Sequence, residues 1–159
     1  MRTPLPSKDM ILQACAGTLA IEHPVLRAAY ELASLHEASL DRTADVGTID
    51  GERARLMCRI DNWVTAAAPP AFDAAYRHTE TVGMVIDRLA EFSVDVCVAS
   101  EPNIPAPQLR YAQHRLTELA LAYSDLCFEL AAGIRRLPDF SFLAAEGDSA
   151  EPPDWRGEL

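Results

Sequence analysis

No run of apolar residues in the sequence is long enough for a secretory signal or a membrane span, and the opening MRTPLPSKDMILQ is broken by proline and charge. The expectation is a soluble cytoplasmic protein. Positive charge is scarce, with 14 basic residues against 24 acidic ones and a net charge of −10. Such a chain is repelled by phosphate backbones, and no lysine–arginine stripe offsets the repulsion, which excludes nucleic-acid binding. Cys-x-x-Cys pairs are missing as well. Cys15, Cys58, Cys97 and Cys127 fall one each in four predicted helices, so a zinc or redox site has no support and four small, buried, reduced thiols are expected.

The signatures of several chemistries are also absent. His36-Glu37 continues Ala38-Ser39-Leu40, which lacks the second histidine of a helical zinc hydrolase. No glutamate precedes a histidine by three residues, as a di-iron bundle requires. The helical segments hold acidic pairs at spacing four, Glu37/Asp41 and Glu91/Asp95, but none at the spacing of three that holds magnesium in helical pyrophosphohydrolases. There is no nucleophile elbow, phosphate-binding loop or dinucleotide fingerprint. No metal and no cofactor is expected.

What the sequence does contain is helical periodicity, cut by proline, glycine and aspartate, with no two-residue alternation and no internal repeat. The reading is an all-α, compact bundle of about five helices over residues 1–138, with two long C-terminal helices and an acidic tail over 139–159. Ser7 caps a first helix over 8–22, and Pro24 opens a second through Arg42. ADVGTID breaks the chain before a third helix over 51–67. A fourth is expected over 72–99 and a fifth over 107–137, the last two antiparallel. The fifth carries a stripe from Leu109 through Ala112, Leu116, Leu119, Tyr123, Leu126 and Leu130 to Ile134 and Leu137. Leu121 and Phe128 lie off that stripe, one heptad apart. They predict a cover for a neighbouring helix, a seat for the tail (Phe140, Phe142 and Leu143), or a contact for a homodimer or protein partner. His114 and Glu118 read as an exposed pair.

Polar residues on the apolar faces are the main oddity. On the second helix His36 falls within the arc of Val25, Ala29, Leu32, Ala33 and Leu40, with Glu37 at its boundary. On the third, Arg53 points along the stripe of Leu56, Met57, Ile60, Trp63 and Val64, flanked by Asp61 and Asn62. On the fourth, His78 and Thr79 point into the arc of Val82, Val85, Ile86, Leu89 and Val96, while Glu80, Asp87 and Glu91 gather at the polar side. Burying such groups without partners costs several kcal/mol. Three readings follow: a hydrogen-bond network that fixes helix register, an inter-helix pocket for a small molecule near His36 and His78, or helix boundaries wrongly placed. The pairing expected is His36 against His78 and Thr79.

LASLHEASLDR, ARLMCRIDNWV, RHTETVGMVIDRLAE and AYSDLCFELAAGIRRLP together resemble the actinobacterial branch of a bacterial family known as domain of unknown function 4254. The resemblance covers residues 8–138 and is most specific over HTET-G-VIDRLA. It implies a compact helical domain and points to His36, Glu37, Asp61, His78, Thr79, Glu80 and Asp87; Arg53 is not one of these positions, and the tail is not part of the resemblance. No activity is implied, although glycosyltransferase genes beside some relatives suggest a sugar pathway. Two functional classes stay open: a binding or accessory protein, and a small-molecule enzyme of a sugar or secondary-metabolite pathway that uses a histidine as general acid or base.

Overall fold

A computed structural model describes residues 4–140. Five helices form an all-α bundle: α1 (Lys8–Cys15), α2 (Pro24–Ala38), α3 (Val46–Ala67), α4 (Val82–Ala99) and α5 (Ala106–Ala131). Two dipeptides, β1 (Tyr76–Arg77) and β2 (Arg135–Arg136), pair in parallel with Tyr76 opposite Arg135 and Arg77 opposite Arg136. Helix α4 is central and packs against each of the other four helices. Its neighbours meet it through Ile11 and Ala14, Leu26, Ala29 and Leu32, Leu56, Ile60 and Val64, and Tyr123, Leu126 and Leu130. Tyr123 is fully buried, and its hydroxyl donates to the Pro6 carbonyl at 2.8 Å, tying the N-terminal segment to α5. No helix among the described residues is long and apolar enough to cross a membrane.

Local chemistry sets the helix ends. Ser7 accepts the Met10 N–H, and α1 stops before Gly17, whose φ of 95° favours a residue without a Cβ, so it is shorter than periodicity alone predicts. Helix α2 starts at Pro24 behind His23, whose Nδ1 accepts the Val25 N–H at 3.1 Å. ADVGTID is not a break. Asp45 accepts the Thr48 N–H and α3 begins at Val46, five residues earlier than expected.

The largest correction concerns the fourth helix. Residues 72–81 precede it as an irregular segment, because the Thr81 hydroxyl accepts the Met84 N–H and begins the helix at Val82. That segment is held to the end of α5 instead. Phe72 N–H donates to the Gly133 carbonyl at 2.8 Å, and His78 N–H donates to the Arg136 carbonyl at 2.6 Å. Gly133, at φ 73°, ends α5 earlier than Leu137 and lies against the Pro70 carbonyl and the Phe72 ring. The short strand pair has no counterpart in a two-residue alternation, since each strand is a dipeptide.

Side-chain burial also departs from expectation in places. Cys15 and Cys127 are partly buried, but Cys58 and Cys97 are exposed; all four are free thiols. Leu40 and Ile134, expected on apolar stripes, are exposed, and Val96 is half-buried. Leu121 and Phe128 point outward, and His114 and Glu118 are exposed. Phe142, Leu143 and Trp155 lie outside the described residues.

Helices α3 and α4 approach closely at Gly83. A Cβ there would lie 2.5 Å from the Met57 carbonyl oxygen and 2.9 Å from both Met57 Cα and Asp61 Oδ1. Elsewhere in a helix, replacing glycine with alanine gains up to about 1 kcal/mol. At this position Gly83→Ala should instead destabilise by about 1–3 kcal/mol, because backbone has to move. A denaturant midpoint that rises in the variant would show that the contact yields freely.

Candidate functional site

Asp87 is the polar group on which three helices converge. Expected on the polar side of α4, it is only 5% exposed. With α3 starting at Val46, Arg53 stands in the second turn and reaches across to α4. Its Nε donates to Asp87 Oδ1 at 3.1 Å and its Nη2 to Oδ2 at 2.6 Å. From α2, His36, 8% exposed, places Nε2 2.8 Å from Asp87 Oδ1. Arg53 Nη1 also donates to Asp50 Oδ1 at 3.0 Å, one turn back on α3. The fork on the carboxylate uses both oxygens, and the imidazole shares one of them.

Burial alone would push the Asp87 carboxyl up. The hydrogen bonds and charges of His36 and Arg53 outweigh that and hold it below the ordinary aspartate range. Arg53 is raised in turn, chiefly by its hydrogen bonds to Asp87. An ionised carboxylate only accepts, so His36 Nε2 carries the proton in this pairing. The other ring nitrogen, Nδ1, makes no hydrogen bond among the described residues. An imidazole oriented by a carboxylate, with its second nitrogen uncommitted, is chemically able to exchange a proton.

The remaining sequence candidates lie elsewhere. Asp61, half-buried on α3, accepts the Gly83 N–H at 2.7 Å and a hydrogen bond from Thr81, so it occupies the N-terminus of α4. Its carboxyl is raised by burial, against the lowering by these two hydrogen bonds. His78 sits in the segment before α4, not on a buried helix face. Its Nδ1 lies 3.1 Å from the Glu80 nitrogen and 2.9 Å from the Glu80 carbonyl oxygen. Thr79 is exposed, Glu80 pairs with Arg88, and Glu37 points to solvent. The expected meeting of His36 with His78 and Thr79 therefore does not occur. His36 finds Asp87, the residue assigned to the wrong face of α4.

No group of three or more histidine, cysteine, aspartate or glutamate side chains among the described residues is arranged to hold a metal ion. A cleft of about 290 Å³ is lined by Leu5, Trp63, Val64, Ala68, Cys127 and Leu130, and a second lies between Asp95, Tyr111 and Arg115. Neither includes a residue of the His36–Arg53–Asp87 cluster.

Residues 31–103 match a family described as a protein of unknown function (DUF4254). The resemblance seen in the sequence is thus supported over most of α2, all of α3 and α4, and the segment between them. The match is narrower than residues 8–138. It spans every candidate from His36 to Asp87, while AYSDLCFELAAGIRRLP, which runs from α5 through β2, lies beyond it. The family's description carries no activity. Neither a search of curated proteins nor one of solved structures found a match.

The Asp87 pairing has a pH signature. A carboxyl lowered in the folded state adds stability that is complete above its unfolded value, near 3.8, and disappears as pH falls through the folded value. Asp87→Asn should therefore cost about 3–5 kcal/mol at pH 7, since it strands Arg53 beside His36. The gap to the unsubstituted protein should close in acid below the ordinary aspartate range. Parallel stability curves from pH 7 down to pH 2 would show that Asp87 is not ionised against these partners.

Proposed function

We propose that this chain is a binding or accessory protein, acting through the outer face of α5 rather than through chemistry of its own. The observation that supports this reading is the contrast between the inside and the outside of the bundle. His36, Arg53 and Asp87, the polar residues on the buried faces, are engaged with one another across three helices. Outside, Phe128 and Leu121 remain 71% and 49% exposed on one helix face.

Their spacing favours a second copy of the same chain as the occupant. Seven residues rise about 10.5 Å along a helix, two turns that bring both side chains to the same side. Two copies of α5 packed antiparallel about a two-fold axis would then set each Leu121 against the other's Phe128. A cytoplasmic setting belongs to the same proposal and is supported by the four free thiols.

A second reading, an enzyme acting on small molecules of a sugar or secondary-metabolite pathway, has one observation in its favour. Asp87 orients the His36 imidazole and leaves Nδ1 uncommitted. That reading requires a substrate to reach His36; the two clefts described above open elsewhere, but a further one between α2 and α3 is lined by Leu35 and Glu52, next in sequence to His36 and Arg53.

Light scattering on the purified chain should give the mass of a dimer at micromolar concentration. The double substitution Leu121→Ser with Phe128→Ser should give a monomer whose melting temperature falls by no more than a few degrees, the part that dimerisation contributes. A wild-type monomer at millimolar concentration would remove self-pairing. A large loss of melting temperature in the variant would make the two residues part of the fold instead.

A further inference from the structure

The β1–β2 pair sets two like charges side by side. Arg77 and Arg136 are register partners in a parallel ladder, so their side chains leave the same face of the ribbon. Like charges directly opposite in a ladder destabilise it. Arg77 is exposed and makes no ion pair among the described residues. Arg136 is only partly satisfied, with Nη2 3.3 Å from both the Phe72 and Asp73 carbonyl oxygens. Two neighbouring carboxylates are already taken, Glu80 by Arg88 and Glu129 by Arg135. Phe72, whose carbonyl lies against Arg136, has a side chain 65% exposed. A cationic face is out of keeping with a chain of net charge −10.

The chain carries a matching anion. Residues 141–159 hold Glu146, Asp148, Glu151, Asp154 and Glu158 against the single Arg156, a net charge of −4, together with Phe142 and Trp155. This stretch begins five residues after Arg136, so it is tethered beside the arginine pair. Even three residues of extended chain span about 10 Å, so most of its carboxylates can reach back. We propose that the acidic C-terminal stretch of this chain binds in cis across Arg77 and Arg136. Its carboxylates relieve the like-charge pair, and its aromatic residues meet the exposed Phe72 side chain. Tethering raises the local concentration of the acidic stretch above that of any free competitor.

Sequence composition offers a clean test, because Lys8 is the sole lysine in the chain. In full-length Arg77→Lys and Arg136→Lys variants the new amine keeps the charge and becomes a target for carbodiimide coupling, which joins an amine to a carboxylate in ion-pair contact. Peptide mass spectrometry of the monomeric product should find the new amine joined to Glu146–Glu158 about tenfold more often than Lys8 is, and 0.5 M salt should erase the difference. Equal coupling at Lys8 and at the new amine would overturn the proposal. So would coupling found only in cross-linked dimers, which would place the stretch on a second copy.

Discussion

One carboxylate at the middle of the bundle sets the terms for the rest. Asp87 is on the helix that touches all the others, and it is withdrawn from water. An ionised group there is tolerable only with charge and hydrogen bonds supplied from outside its own helix. Arg53 supplies a planar fork from α3, and His36 a single ring nitrogen from α2. These geometries are directional, whereas the surrounding leucine, valine and alanine contacts are not. Sliding α3 or α2 along α4 by one turn keeps apolar surface against apolar surface but strands the carboxylate. The triad thus fixes register among helices that burial alone would hold less specifically.

A second polar bond adds to the same constraint. Asp61 of α3 accepts the Gly83 N–H at the start of α4, one turn before Asp87. Gly83 lets the two backbones close to a distance that no side chain would permit. Asp61, Gly83, Arg53 and Asp87 consequently pin α3 to α4 at two levels. All four fall within the stretch matching the family of unknown function, whereas α5, with the exposed Leu121 and Phe128, lies outside it.

The bundle was legible in the sequence because burial follows helical period over long segments: the stripe containing Ala112, Tyr123, Leu126 and Leu130 is buried as expected. The caps at Ser7 and Pro24 were legible for the same local reason. His36 and Arg53 were also recognised as polar groups needing partners. Their partner was not evident because α4, which touches all the other helices, also buries Gly83, Ala90 and Val94, and Asp87 falls with these, outside the arc of Val82, Val85, Ile86 and Leu89. The places of His78 and Thr79 depend instead on where the helix begins, which Thr81, a side chain suited to capping directly before the apolar arc, signals. Between Pro70 and Thr81 the chain is alanine-rich and helix-compatible, and its hydrogen bonds to Gly133 and Arg136, distant in sequence, draw it into an irregular path.

The central claim is that His36 is coupled to Asp87 and not to His78. A double-mutant cycle on folding stability tests it directly, using His36→Ala with Asp87→Ala and, in parallel, His36→Ala with His78→Ala. The account predicts an interaction energy of about 0.5–3 kcal/mol for the first pair and additivity within about 0.5 kcal/mol for the second. Additive losses for His36 with Asp87, or strong coupling between the two histidines, would contradict it.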